Sequence, residues 1–247
     1  AAMIHYHGGP LGGPKDSQSR FWRGRHAMLS FAYPESLPVI AEVCQSFVLD
    51  NGAFTAWKSG AVFDLDGYRA WVREWYQHPG FDWCLIQDTI DGSEQENDTL
   101  IYEWIGTMHG ARSVPVWHFH ESAARLRTLA EQFGTVALGS SGQWPNPGTD
   151  SWWQRFSEVK TSILDEQGRP RCRLHGLRML NPAIFTRVPF ASADSTNAVQ
   201  NGGSISRFGM YAPPEKWQRA TIIADRIEAL NSSAVWLGPE VDKSWWG

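Results

Sequence analysis

Three aspartates stand at the points where hydrophobic runs of the chain end. Asp50, Asp88 and Asp194 each close a short apolar segment with the length of a buried strand. In a parallel α/β protein the carboxyl ends of such strands converge on one face, and active sites are built there. Helix capping is the alternative role for any one of these carboxylates. As a set, they predict an enzyme whose chemistry rests on carboxylates.

The local settings of these residues indicate different chemical roles. Asp194 could attack an anomeric carbon, because glycosidic cleavage passes through an oxocarbenium-like state that an anion traps. Asp88 could accept two N–H groups from a guanine-like edge, as carboxylates do in bidentate pairs. Gly139, Ser140 and Ser141 offer small side chains and free backbone N–H groups, which suit the carbonyl of a base or a phosphate.

The rest of the chain alternates between strand-like and helix-like segments. Short apolar runs are typical of strands, and amphipathic stretches of helical length separate most of them. The predicted strands are 4–7, 27–32, 46–50, 82–87, 114–118, 135–139, 173–177 and 190–194. The predicted helices are 35–44, 66–77, 93–108, 121–132, 150–164 and 214–231. This alternation favours a (β/α)8 TIM-type barrel over an open doubly wound sheet.

One domain is expected, because barrels of 247 residues commonly form a single unit. We predict that the barrel spans residues 3–247, with 1–2 preceding a natural start at Met3. The Gly- and Pro-rich stretch 8–14 is predicted to form a loop over the active face, and 197–213 a second loop.

Composition narrows the class of protein further. The three cysteines are widely spaced, which argues against a thiolate zinc site and a disulfide framework and favours reduced thiols. The net charge of −4 argues against a broad nucleic-acid-coating surface and leaves room for a local basic groove. Neither a signal peptide nor an apolar run of membrane length is visible, so we expect a soluble, cytoplasmic protein without a membrane partner.

The histidines suggest an alternative to the carboxylate chemistry, in which they would bind a metal ion. His5 and His7 share one face of the first predicted strand, because strand residues two apart point the same way. Together with His175 and Asp194, they resemble the ligands of amidohydrolase barrels. No lysine stands at the end of the fourth strand, where that family would carry a bridging carbamate. Hydrogen bonding at the rim is the other role open to these histidines.

The acidic motifs together resemble the tRNA-guanine transglycosylase family, whose members exchange a guanine in nucleic acid for a 7-deazaguanine. The family's Asp-Ser-Gly-Gly-Phe sequence is similar to residues 50–54, and its base-reading aspartate aligns with Asp88. Its Gly-Gly turn resembles the pair at 139–140, and Asp194 falls where its nucleophile belongs. The order and rough spacing of these motifs agree over residues 46–197.

This resemblance implies a covalent mechanism that needs no cofactor. Asp194 would attack C1′ of the target nucleoside, and Asp50 would protonate the departing base and later deprotonate the incoming one. Asp88 would bind the N1/N2 edge of the base, with the amides of 139–140 on O6. The base must leave the helix to be read in this way, and stacking on Phe54 would offset the cost of unstacking.

Further substrate-binding residues follow from their place in the family pattern. His118 or His120 stands near the expected position of a base-contacting glutamine, and the run 175–177 resembles the segment before the nucleophile strand. Trp144 is a second residue that could stack on the base. The predicted substrate-binding set is Asp88, Gly139, Ser140, Ser141, His118, His120, His175, Gly176 and Phe54.

The chain also departs from the family pattern. It lacks the three-cysteine-plus-histidine zinc site and its subdomain, and it is much shorter than the tRNA enzymes. It is more similar to compact, phage-associated relatives that insert 7-deazaguanines into DNA. The resemblance therefore implies DNA rather than tRNA as substrate, in a bacterial or phage-infected cell, with a homo-oligomer or a helper protein as a further expectation.

Arginines near both ends of the chain could hold phosphates, although a solvated basic surface explains them equally well. The predicted nucleic-acid-binding residues are Arg20, Arg23, Arg25, Arg171 and Arg173, with Arg169 and Arg178 in the same run as the last two. Two other functions stay open: the metal-dependent hydrolase described above, and a nucleobase-binding barrel without turnover.

Overall fold

The strands of the molecule form one parallel barrel. A computed structural model describes residues 2–202, 206 and 211–240. The strands are β1 (Ile4–Gly8), β2 (His26–Ser30), β3 (Ser46–Asp50), β4 (Phe81–Leu85), β5 (Ser113–Val114), β6 (Val116–His118), β7 (Thr135–Gly139), β8 (Arg173–Gly176) and β9 (Ser192–Ser195). Their order in the sheet is β5-β4-β3-β2-β1-β9-β8-β7-β6.

Pro115 separates the two strands at the ends of this order. β5 pairs with β4 and β6 pairs with β7, so the continuous segment 113–118 connects both edges of the sheet. Proline lacks the N–H that a strand needs for a full ladder, and its carbonyl accepts from Ala137 of β7 at 3.0 Å. Counting this segment as one strand gives eight strands and closes the cylinder, as in a TIM barrel.

Helices surround the barrel between its strands. They are α1 (Lys15–Trp22), α2 (Leu37–Ala41), α3 (Ala53–Ser59), α4 (Leu65–Trp75), α5 (Glu94–Thr107), α6 (Ala123–Gln132), α7 (Asp150–Val159), α8 (Pro182–Phe185), α9 (Asn197–Asn201) and α10 (Lys216–Glu228). Side-chain caps fix where several of them begin: Ser93 and Glu96 form a capping box at α5, and Ser122 caps α6.

Two apolar layers hold these elements together. The barrel interior is filled by side chains that alternate inward along the strands, including Tyr6, Val48, Leu85 and Val116. A larger cluster between strands and helices holds most of the buried aromatic residues, with Trp152 as one example. The candidate site lies in an open space above this packed interior, at the carboxyl ends of the strands.

The TIM-barrel prediction is confirmed, and all eight predicted strands overlap observed ones. The six predicted helical stretches are also helical over most of their length. The helices α1, α3, α8 and α9 were not predicted, and α9 begins inside the stretch 197–213, part of which lies outside the described residues. Within the part of the chain that the structure describes, no helix is both long and apolar enough to cross a membrane.

Candidate active site

A cavity of about 480 Å3 opens at the carboxyl ends of the barrel strands. Its walls come from strands β1, β2, β3, β4, β6, β7 and β9 and from segments that follow the strands, including the loop after β8. Asp50, Asp88 and Asp194 all line it, together with Gly139 and Ser140. The structure therefore brings together the three predicted carboxylates and the predicted glycine turn, although they are far apart in the sequence.

Asp88 is held by two neighbours from other strands. Asn51 Nδ2 donates to its Oδ1 at 2.7 Å, and His118 Nε2 lies 2.6 Å from its Oδ2. Asn51 also donates to the Ile86 carbonyl at 3.0 Å and accepts from the Ala53 N–H at 2.9 Å, so its amide orientation is fixed. Each Asp88 oxygen keeps a further lone pair for a ligand, which suits a bidentate acceptor.

Asp50 is the carboxylate with the strongest change in acidity. Burial raises the pKa of Asp50 to about 7, while a hydrogen bond from Ser30 lowers it and the charges of Asp194 and Asp88 add to the rise. The chain turns away directly after Asp50 at Gly52, whose φ of 76° is in the left-handed region. A carboxyl group with this pKa can both give and take a proton near neutral pH.

Asp194 lies near the end of β9, and its Oδ1 has two polar neighbours. The Arg178 backbone N–H donates to its Oδ1 at 2.9 Å, and His175 Nε2 lies 3.3 Å from the same oxygen. His175 is fully buried beneath the cavity, and its Nδ1 lies 2.8 Å from Ser192 Oγ. These contacts leave the other carboxylate oxygen, Oδ2, available to a reacting atom in the cavity.

Gly139 and Ser140 form the wall next to His118. A Cβ on Gly139 would lie 3.0 Å from His118 Nδ1, so only glycine lets the imidazole approach this closely. The Ser140 hydroxyl accepts from Trp152 Nε1 at 2.9 Å, so Trp152 holds that side chain. Ser141 and His120 are hydrogen-bonded to each other at 2.8 Å and do not line the cavity.

Phe54 lies at the mouth of the cavity and is partly exposed. The Arg178 guanidinium lies 4.6 Å from the centre of its ring, at cation–π distance. The Arg155 guanidinium lies 5.0 Å from the centre of the Trp144 ring, and Trp144 is not among the residues that line the cavity. Phe54 is therefore the better placed of the two aromatic residues predicted to stack on a base.

The alternative metal site that includes the first strand does not fit the structure. His5 and His7 do share a face of β1, but that face points outward to the helices, while Tyr6 points into the barrel. His5 Nε2 lies 2.9 Å from the Leu230 carbonyl, and His7 Nε2 lies 2.8 Å from Glu228 Oε1. Among the described residues, no group of three His, Cys, Asp or Glu side chains is arranged to hold a metal.

The predicted phosphate-binding arginines lie away from this cavity. Arg171 and Arg173 come just before or at the start of β8, and Arg23 and Arg25 just precede β2, which places all four at the opposite end of the barrel. Arg25 binds Glu228 at 2.6 Å and also contacts Asp225, which fastens α10 to the barrel. Arg20 is ion-paired with Asp16 at 2.8 Å on the exposed side of α1.

Gly176 was predicted to bind substrate, and the structure assigns it to packing instead. A Cβ at this position would lie 2.8 Å from Met179 Cβ and 2.9 Å from Phe190 Cζ, in the layer between strands and helices. Its neighbour Leu177 lines the cavity in its place.

Several residues that line the cavity were absent from the predicted substrate-binding set. Among them are Asn51, Ser30, Lys58 and Arg178, the last of which was named only as a possible phosphate ligand. Asn51 follows Asp50 within the family-like motif, which was a usable signal for it. Lys58 belongs to α3, a helix that was not predicted, so its place at the rim could not be inferred.

Comparison with known proteins identifies the fold. No family model matches the chain, and no curated protein matches it. A mutant tryptophan synthase alpha-subunit from Pyrococcus furiosus is 12% identical, with a TM-score of 0.53 over 93% of this chain and 98% of that chain. The tryptophan synthase α2β2 complex of the same organism gives a TM-score of 0.54 at 12% identity, with the same coverage. The chain thus shares the TIM-barrel fold of that subunit, and the likeness shows the fold alone.

Proposed function

We propose that this chain is a base-exchanging glycosyltransferase that replaces guanine in nucleic acid with a 7-deazaguanine. The proposal is based on one observation: Asp50, Asp88, Asp194 and Gly139 all line the same cavity. This is the set that the transglycosylase-like motifs select from the sequence. A pocket with a few convergent polar groups and a shifted pKa is the usual form of an active site.

The reaction would proceed through two displacements at C1′ of the target nucleoside. In the first, an oxygen of Asp194 bonds to C1′, the bond from C1′ to N9 of guanine breaks, and Asp50 gives its proton to the departing base. In the second, the incoming base gives its N9 proton to Asp50, and N9 attacks C1′ and releases Asp194. Asp50 ends protonated and Asp194 ionised, as at the start, so the cycle needs no cofactor.

Asp88 would recognise the base in both displacements. Its two oxygens are oriented by Asn51 and His118, and each can accept one N–H of the guanine N1/N2 edge. Guanine and a 7-deazaguanine share that edge and differ at position 7. The same contacts would therefore bind the departing base and the incoming base, as exchange requires.

A single assay tests the proposal. DNA and tRNA carrying labelled guanine are each incubated with the protein and an unlabelled 7-deazaguanine, and released guanine and incorporated base are measured. We expect release and incorporation in equal amounts, and a protein–nucleic acid adduct that survives denaturation. DNA is the substrate that we expect, on the strength of the resemblance to compact DNA-modifying relatives.

The matched variants are Asp194→Ala and Asp66→Ala. Asp66 is an aspartate of α4 whose side chain is 99% exposed, so its loss should leave exchange unchanged. Asp194→Ala should lower exchange by about 10³-fold or more and abolish the adduct, with an unchanged circular dichroism spectrum. Full exchange in this variant would contradict the nucleophile assignment. Guanine release without incorporation would instead identify water as the acceptor, and base binding without release would identify a binding protein.

A further inference from the structure

The cations that line the cavity match the sequence prediction only in part: Arg178 belongs to the arginine run 169–178 that could hold phosphates, whereas Lys58 was not predicted. Among the described residues of its wall, Lys58 and Arg178 carry the positive charge. Lys58 lies in the last turn of α3, and Arg178 in the loop after β8. Four of the five arginines predicted to bind phosphate lie at the other end of the barrel. A nucleic acid that reaches Asp194 would therefore meet Lys58 and Arg178 first.

Arg178 is held at this position by four contacts. Its backbone N–H donates to Asp194, and its Nη2 donates to the Ser140 carbonyl at 3.0 Å and to the Pro145 carbonyl at 3.5 Å. Its guanidinium also lies over the Phe54 ring. These contacts fix the plane of the guanidinium and leave Nε and Nη1 without a hydrogen-bond partner in the part of the chain that the structure describes. Its backbone has a φ of 59°, which is unusual for a residue other than glycine.

We propose that Arg178 and Lys58 bind the phosphates that flank the target nucleotide. This inference rests on the proposed function, because it takes the sugar of that nucleotide to be held at Asp194. The phosphates next to that sugar are the nearest anions of the substrate, and the backbone N–H of Arg178 donates to Asp194, which places this residue beside the sugar. A guanidinium with a fixed plane and free N–H groups on Nε and Nη1 can donate to phosphate oxygens. The strand would cross the cavity mouth between α3 and the loop after β8.

Such contacts have a signature that a structural role lacks. Each phosphate neutralised by a cation releases counterions, so the logarithm of affinity falls linearly with the logarithm of salt concentration. Loss of one phosphate contact should reduce the magnitude of this slope by about 0.7 on single strands and about 0.9 on duplex DNA. It should also weaken binding equally for all sequences, because phosphate carries no base information.

The test uses Arg178→Gly, Lys58→Ala and Arg173→Ala. Glycine accepts a φ of 59° and keeps the backbone N–H that binds Asp194, so this change removes the guanidinium alone. Affinity for a labelled oligonucleotide is measured by fluorescence anisotropy from about 50 to 200 mM salt. Affinity for free guanine is measured by calorimetry. Arg173 is an exposed cation at the opposite end of the barrel and serves as the matched control.

We expect Arg178→Gly to weaken oligonucleotide binding about tenfold and to reduce the salt slope by the value for one contact. Lys58→Ala should have the smaller effect of a flexible point charge. Free guanine should bind all variants equally, and Arg173→Ala should match the wild type. An unchanged slope in Arg178→Gly, or an equal loss of slope in Arg173→Ala, would overturn the inference. These measurements need no turnover, so a wild-type protein that binds with the expected slopes but exchanges no base would contradict the proposed function alone.

Discussion

His118 Nε2 lies 2.6 Å from Asp88 Oδ2, and both side chains are buried. The two residues come from different parts of the barrel, since His118 ends β6 and Asp88 follows β4. Because Asn51 holds the other oxygen of Asp88, the carboxylate has little freedom to rotate. The orientation of the group proposed to read the base is thus set by two side chains that need not touch the base.

His118→Ala should weaken the binding of free guanine by about tenfold to a hundredfold. The change removes a hydrogen bond to a charged group, which contributes about 1.5–3 kcal/mol, and leaves Asp88 less well oriented. His118→Gln can still donate to Asp88 and should recover part of the loss. Calorimetric titration of each variant with guanine measures the effect. Equal affinities in the wild type and His118→Ala would contradict this role of His118.

Gly139→Ala should reproduce much of that effect without touching Asp88. The new Cβ would lie 3.0 Å from His118 Nδ1 and 3.3 Å from Val116 Cγ1, so the imidazole must shift from its place beside Asp88. Gly106→Ala is the control, because a Cβ there has no atom within 4 Å and alanine favours the helix by up to about 1 kcal/mol. We expect weaker guanine binding in Gly139→Ala and unchanged guanine binding in Gly106→Ala. Guanine affinity equal to the wild type in Gly139→Ala would show that the cavity wall accommodates the added methyl group without moving His118 away from Asp88.

The pH dependence of base release should report on Asp50. With a pKa of about 7, Asp50 is protonated below neutral pH and can give a proton to the departing base, whereas above it the carboxylate cannot. We expect kcat/KM for guanine release to be level below about pH 7 and to fall about tenfold per pH unit above it. Asp50→Asn should be nearly inactive and should lose this transition. A wild-type profile that stays level to about pH 9 would mean that another group supplies the proton.

The outward-facing His7 leads to a prediction about stability. Burial alone would raise the pKa of Glu228, but hydrogen bonds and charges from His7 and Arg25 outweigh it and lower the pKa to about 2. A carboxyl with a depressed pKa stabilises the fold above its unfolded value and loses this contribution as the pH falls toward the folded value. Since Glu228 is partly exposed, we expect Glu228→Gln to lower the free energy of unfolding by about 1–2 kcal/mol at pH 7.

Denaturant unfolding at pH 7 and at several lower pH values measures this effect. The difference between the wild type and Glu228→Gln should shrink as the pH falls from 4.5 toward 2. Asp225→Asn is the control on the same arginine, and its more exposed side chain should contribute less than about 1 kcal/mol. A difference that does not vary with pH would show that packing of residue 228 matters more than its charge.

The strands and the carboxylates of this protein could be predicted from the sequence for a physical reason. Buried parallel strands are short apolar runs, and the chain marks their ends with polar or turn residues such as Asp50 and Asp194. Convergence of these ends then follows from the barrel itself. Helix α3 was missed because it is only seven residues long and begins directly after the turn at Gly52.

Two expectations failed because a sequence pattern does not show where in the fold a side chain lies. Alternation along a strand places His5 and His7 on one face but does not say which face is inside; Tyr6 between them takes the interior. A cluster of arginines in the sequence indicates positive charge but does not show where on the molecule that charge lies. Arg173 was an exception, because it begins a strand and must therefore lie at the amino-terminal end of the barrel. Arg178 was visible in the same run, but its contacts with Asp194 and Phe54 depend on the fold around it.

The break in the fifth barrel strand at Pro115 has a mechanical consequence. There β5 pairs with β4 and β6 pairs with β7, so the chain itself, instead of a continuous ladder, joins the two edges of the cylinder. Asp88 and His118 meet across this break, so a base that binds Asp88 and orders it would strengthen this contact between the two edges. Occupancy of the site and closure of the cylinder would then favour each other by the same free energy. Slower hydrogen exchange of the β6 amides in the presence of ligand would be the measurable result.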